Sequence, residues 1–208
     1  MQQILDAARE LDSGAVAGIV CALSFERGVA EAWNAACVPA LRRMAAGGGS
    51  GAEIAVEHTL TEGIARGLDL VSVPRHEDVR SNHVLLACAP GEAHELPLRA
   101  LSAVLFERRI GTFPLGAAVP WTALQAAVSR TRARTAVVWA QTAATADAAG
   151  LCAIADTFDD THFAAAGPGW TAAGVTPVLA LCGIEHLASL DLAVAACVGQ
   201  PAPQDLEA

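Results

Sequence analysis

The chain is 208 residues long, carries a formal net charge of −9 and is 53% hydrophobic, enough apolar material for one large core or two small ones. That charge works against a direct grip on nucleic acid, which needs a basic face to displace counterions. The longest uncharged apolar stretches, such as Val175 to Ile184, are too short to span a bilayer. Residues 1–20 contain Asp6, Glu10 and Asp12 and no basic leader, so a cytoplasmic protein without membrane contact is expected. Six cysteines (Cys21, Cys37, Cys88, Cys152, Cys182 and Cys197) include no CxxC pair. They are expected as small buried hydrophobes rather than as a zinc site.

Residues 2–80 read as helical. Ile4, Leu5, Ala8 and Leu11 recur at helical spacing, as do Val16, Ile19, Val20 and Leu23, with Asp12-Ser13-Gly14 as the break between them. A third helix is predicted over Val29 to Met44, kinked at Pro39. AAGGGSG (45–51) punctuates the chain, and a fourth helix follows over Ala52 to Gly67. Four helices with short connections predict an antiparallel bundle over residues 1–75. The charged segment around Pro74 reads as a linker, assigned to 76–82.

The pattern then changes to strand and helix in alternation. HVLLACA (83–89), IGTFPL (110–115), TAVVWA (135–140) and DTHFAAAG (160–167) are strand-length apolar runs, and a fifth strand is predicted near Thr176–Leu181. Helices are expected at about 94–108, 121–132, 143–155 and 189–198. Such alternation means βαβ units, a parallel sheet and right-handed crossovers. The fold class expected is therefore a four-helix bundle followed by a doubly wound, Rossmann-like or flavodoxin-like α/β domain over 83–202, with a tail at 203–208.

Open α/β sheets bind ligands beyond the carboxyl ends of their strands. The loops there are CAPGEAHEL, PLGAAVPW, WAQTAATAD and AAGPGW. His94 is expected one or two residues into a helix, where the helix N-terminus favours the neutral imidazole that ligates metals. Glu92 or Glu95 is the candidate partner for its other ring nitrogen. One histidine cannot build an ordinary zinc site. A surface residue and a ligand whose metal comes with a cofactor are the two readings of His94.

The stretch VLLACAPGEAHELPLRALSAVLFERR, followed by LGAAVPWTALQAAV, resembles the cobalamin-binding domain of MerR-type transcriptional regulators, the light- and cobalamin-responsive CarH/LitR group. RGVAEAWNAACVPALRRM and IAVEHTLTEGI are similar to that family's helix bundle with its Glu-His pair. The resemblance implies cobalamin as cofactor, with His94 replacing its dimethylbenzimidazole as lower axial ligand to cobalt and Glu92 behind it. It implies a nucleotide tail threading past Gly116, Ala140, Gln141, Thr142, Gly167 and Gly169, whose glycines admit close backbone approach. It implies the bundle as cap over the corrin, with Glu57 and His58 as the Glu-His pair. Glu92 and Pro97 stand where the broader corrinoid signature has aspartate and glycine. Ala140 stands where a serine commonly contacts the tail, and Gly47 where photosensing members carry a tryptophan.

The function expected is a sensor and effector domain rather than an enzyme. It would act through packing or homo-oligomer changes, with DNA contact made only by a region absent from this chain. A cofactor-free interaction module on the same fold and a corrinoid carrier for a methyltransferase are the alternatives. Without the resemblance, Glu57-His58 reads equally as an exposed helix pair, and Gly167-Pro168-Gly169 as a tight turn. Trp121, Trp139 and Trp170 read as packing residues, and His76, His83, His162 and His186 carry no pattern.

Overall fold

The computed structural model describes residues 1–47, 49–72 and 80–199, the side chains of 80–83 excepted. The helical part begins with α1 (Gln2–Arg9), α2 (Ser13–Arg27) and α3 (Val29–Ala32). Asp12 caps α2, its carboxylate accepting from the Ala15 N–H at 2.8 Å. α3 runs through a π-helical turn, Trp33–Cys37, into α4 (Val38–Ala45). Pro39 accounts for that turn: it has no N–H to return, and its ring crowds the carbonyl four residues back. The chain widens instead, and the Val38 N–H donates to the Trp33 carbonyl five residues earlier. α5 (Gly51–Val71) starts on a capping box, with Ser50 and Glu53 reciprocally bonded, and runs four residues beyond the predicted end at Gly67. Gly63 and Gly67 let α5 lie directly on α2. A Cβ on Gly63 would overlap Val16, and one on Gly67 would sit 2.7 Å from the Val20 Cβ.

Five parallel strands follow: β1 (Arg80–Cys88), β2 (Ile110–Gly116), β3 (Thr135–Trp139), β4 (His162–Ala166) and β5 (Glu185–Leu187), in the order β2-β1-β3-β4-β5. This is the flavodoxin-like order, with its switch point between β1 and β3. β1 takes in residues 80–82, which the sequence reading gave to the linker; residues 76–79 and 203–208 lie outside the described residues. The predicted fifth strand is corrected. Thr176–Leu181 is a helix with Pro177 in its first turn, and the strand is Glu185–Leu187. The register sets Cys88, Trp139, Ala166 and Leu187 side by side in one row at the carboxyl ends of the strands.

Alternate strand residues face opposite ways. Val84, Leu86, Val137 and Ala164 join one core with α6 (Leu96–Glu107) and α11 (Leu190–Val198). Leu85, Ala87, Ala136 and Val138 join the other. That second face is covered by α7 (Trp121–Thr131), α8 (Ala148–Ala155), α9 (Gly169–Ala172) and α10 (Thr176–Leu181). The bundle has no core of its own: Ile4, Leu5, Val20, Leu60 and Ile64 belong to the same cluster as Leu98, Leu101 and Leu105 of α6. Polar ties reinforce the joint. The Glu107 carboxylate accepts from the Val29 N–H at 3.0 Å, and Arg99 on α6 pairs with Asp69 on α5 at 2.7 Å.

The cysteine reading is also corrected. Cys152 of α8 and Cys182, just after α10, form a disulfide with Cα atoms 5.8 Å apart, while Cys21, Cys37, Cys88 and Cys197 are free. No described helix is long and apolar enough to cross a membrane.

Candidate functional site

β1 leaves the sheet through Ala89-Pro90-Gly91, where Gly91 takes φ 76°, the left-handed region that favours glycine. The Glu92 N–H donates to the Ala89 carbonyl at 3.0 Å, and the Ala118 N–H donates to the Glu92 carbonyl at 2.7 Å. The loop is thus tied at its start. The Glu92 side chain turns inward and is 1% exposed, whereas His94 stays 62% exposed. One carboxylate oxygen accepts from the His94 N–H at 2.9 Å and meets His94 Nδ1 at 2.5 Å. The other accepts from the Gln141 N–H at 2.8 Å and from the Thr145 hydroxyl at 2.6 Å.

Burial pushes the Glu92 carboxyl up, but the hydrogen bonds from Thr145, His94 and Gln141 outweigh it and hold the group down at about 2. Glu92 is therefore ionised at neutral pH, and an ionised carboxylate only accepts. In the neutral ring Nδ1 must carry the proton, which leaves Nε2 with its lone pair. Nε2 has no partner among the described residues. α6 begins at Leu96 with Glu95 as N-cap, so His94 lies before the helix rather than inside it. A buried carboxylate, not the helix dipole, sets its tautomer. Glu95 is engaged elsewhere, accepting from Arg99 Nε at 2.9 Å.

Neighbouring Cys88 is no rival ligand. Burial first, then the Glu92 and Glu95 charges, push its thiol up to about 12, and only the thiolate binds metal well. Among the described residues no three His, Cys, Asp or Glu side chains are grouped to hold an ion.

A cleft of about 800 Å³ opens between the bundle and the carboxyl ends of the strands. Trp33, Asn34 and Arg42 form its bundle side; Leu98 and Leu101 of α6, Trp139, Gln141, Gly167 and His186 lie across from them. His186 was given no role from sequence. Its Nε2 donates to the Gly167 carbonyl at 3.1 Å. Trp139 Nε1 is buried without a partner among the described residues.

The predicted residues divide. Glu92, His94, Gln141 and Thr142 come together, joined by Thr145, which sequence reasoning missed. Thr145 ends a 3₁₀ turn, Ala143–Thr145, and its only advance signal was a hydroxyl shortly after β3. Gly167 and Gly169 make their closest approaches to the Ala140–Thr142 backbone rather than to open space. The Gly169 N–H donates to the Ala140 carbonyl at 2.9 Å, and a Cβ on Gly169 would lie 2.8 Å from that oxygen. Gly167 does line the cleft as well, but Ala140 is fully buried beneath it. Gly116 lies apart, at a second groove beside β2, where a Cβ would sit 3.2 Å from Glu95 Oε2. Glu57 and His58 are exposed on α5 and line neither hollow. The aromatic wall of the bundle is Trp33; Gly47 lines neither hollow.

Comparison with known protein families finds no match, and comparison with curated sequences finds none either. Solved structures do match. A monomethylamine corrinoid protein of Methanosarcina barkeri aligns with TM-score 0.67 and 11% identity over 94% of this chain and 95% of its own. A cobalamin-binding protein of Desulfitobacterium hafniense aligns with TM-score 0.51 and 13% identity over 93% and 95%. The chain thus has their fold, a helical part on a Rossmann-like α/β domain.

Proposed function

We propose that the chain is a cobalamin-binding domain that takes cobalt through His94 Nε2, in place of the cofactor's own lower base. The observation that carries this is the buried, ionised Glu92, which holds Nδ1 and leaves Nε2 open. A lone histidine needs a metal that brings its other ligands, and a corrin brings four equatorial nitrogens. A cleft beside the loop fits such a group, with Gln141 lining it while His94 itself does not. The cleft opens beyond the strand ends and has mainly apolar walls. Both solved neighbours are described as corrinoid or cobalamin-binding proteins. Bound cobalamin would supply a cobalt centre with an exchangeable upper ligand; the chain's own residues bind it, orient it and exclude water.

In the use we favour, the domain is the sensor and effector part of a MerR-type regulator and not itself an enzyme. It signals through packing or oligomer changes and leaves DNA to a region outside this chain. GEAHELPL and LGAAVP support that use, as does the core shared by bundle and sheet, which couples cap to site. A corrinoid carrier for a methyltransferase is the second reading, favoured by the end-to-end match with the Methanosarcina barkeri corrinoid protein.

The test is to add hydroxo-, methyl- or adenosylcobalamin, desalt, and record the visible spectrum in darkness and after illumination. A coloured protein with a histidine-ligated, base-off spectrum is expected; protein colourless with all three overturns the proposal. A change of oligomer on loading supports the sensor. Methyl transfer from the loaded protein without such a change supports the carrier.

A further inference from the structure

We infer that the amino-terminal end of the sheet is a docking surface for a second copy of this chain, basic half against acidic half about a two-fold axis. This surface lies at the opposite end of the strands from the cleft and stands apart from the cobalamin reading. Each crossover helix returns the chain to that end. α6 stops at Glu107 before β2, α7 at Thr131 before β3, α8 at Ala155 before β4 and α10 at Leu181 before β5. The strand order puts the first two of these turns on one side of the sheet and the last two on the other.

The two halves carry opposite charge. Arg108 and Arg109 stand between α6 and β2, and Arg130 and Arg132 close α7 ahead of β3, about 10 Å away across β1. Asp156, Asp159 and Asp160 lie between α8 and β4, and Glu185 opens β5. All of these residues are exposed. Arg108, Arg130, Arg132 and the carboxylates form no ion pair among the described residues. Local structure does not ask for them. A helix C-terminus suits a cation, but Arg109 and Arg132 hold φ of 62° and 50°, the left-handed region where glycine is the ordinary choice. Asp156 follows the last turn of α8, where the helix dipole disfavours a carboxylate.

Apolar groups flank the charges. Leu181 and Phe25 are the most exposed large apolar side chains among the described residues, at 90% and 72%. Leu181 ends α10 on the acidic side. Phe25 is in the last turn of α2, and the Glu107 carboxylate ties the start of α3 to the end of α6 by accepting from the Val29 N–H, which sets Phe25 on the basic side. A two-fold rotation exchanges the halves, so arginines meet carboxylates twice and the arginine stems cover the partner's Leu181. A chain of net charge −9 repels its own copies unless the contact is matched in this way.

The experiment is sedimentation velocity on the full chain without cobalamin. At about 0.1 M salt the screening length is about 10 Å, which hides the net charges of two copies but not groups in contact. A dimer is expected there, weakening toward about 1 M salt. One variant, Arg108→Glu with Arg130→Glu and Arg132→Glu, turns the basic half acidic. The other, Asp156→Arg with Asp159→Arg and Asp160→Arg, turns the acidic half basic. Each alone should lose dimer affinity by about 100-fold, because like charges then face each other. An equal mixture of the two should dimerise again. Thermal melts confirm that both are folded. Leu181→Ser, at a side chain already in water, tests the same face without that risk and should weaken the dimer by about 10-fold. Wild type that stays monomeric, including one that binds random-sequence duplex DNA instead, overturns the inference. So does a dimer indifferent to the reversals or to Leu181→Ser, and so do folded reversed variants that stay apart when mixed. No cofactor enters these readouts, so their failure leaves the cobalamin reading untouched.

Discussion

The loop after β1 and the outer face of α5 carry the same sequence signal, a histidine close to a glutamate, and the protein treats them in opposite ways. In the loop, Glu92 is buried and takes donors from His94, Gln141 and Thr145. On α5, Glu57 and His58 are both exposed, and their side chains make no hydrogen bond among the described residues. The difference is one of desolvation. A carboxylate taken out of water must be met by fixed donors, so burying Glu92 organises three segments around it. An exposed pair has water for a partner and organises nothing.

The largest effect should come from His94→Ala. Loss of a hydrogen-bonding partner behind a metal ligand costs roughly 10–100-fold in affinity, and loss of the ligand itself should cost more. Cobalamin titration followed by its visible spectrum reads this directly. An unchanged affinity and cobalt spectrum would remove the loop's special standing altogether.

Glu92→Gln comes next, with an affinity loss of about 10–100-fold. The same variant tests the carboxylate by pH. The folded-state value of Glu92, about 2, lies below the ordinary 4.5. A group depressed in this way contributes stability that is fully present above the unfolded value and lost as pH falls through the folded one. Wild type should therefore outlast Glu92→Gln above pH 4.5, and the gap should close toward pH 2. Denaturant midpoints measured across that window check it; parallel curves would mean the charge is not what holds the loop.

The inner face of α5 sharpens the contrast from the other side. Gly63→Ala puts a methyl group into Val16, and such overpacking costs roughly 1–3 kcal/mol. Thermal melting should show the loss, while the cobalt spectrum of the loaded protein keeps its shape. A variant as stable as wild type would mean that α2 and α5 are less tightly apposed than the glycines require.

Much of the architecture was readable because parallel strands buried on both faces become continuous apolar runs: VLLAC, TAVVW and HFAAA each announce themselves. The fifth strand failed that rule. Glu185-His186-Leu187 is three residues long and polar at two of them, while TPVLAL carries the apolar residues and is helical. Pro39 signalled a kink, but whether a helix answers with a bend or a π turn depends on its packing. Glu92 and His94 were legible because they are two residues apart. Thr145 and His186 were not, because the sheet register brings them in from a later turn and a later strand. Thr145 is 53 residues from Glu92, and no local pattern joins them. Cys152 and Cys182 pair across 30 residues for the same reason.

The smallest effect belongs to the double variant Glu57→Ala with His58→Ala. Both side chains point to water from a helix whose packing is set by its opposite face, through Leu60, Gly63, Ile64 and Gly67. Surface substitutions of this kind usually change stability by no more than about 0.5 kcal/mol, which corresponds to about a twofold change in an equilibrium constant. Cobalamin affinity and melting temperature should both stay within that margin. A clear loss of affinity for a ligand bound through its upper face, with stability intact, would break the comparison. It would mean that α5 turns or shifts on loading and brings the pair over the corrin. The cleft would then close by a movement of the bundle against α6, and the Asp69–Arg99 pair at that joint would be expected to open with it.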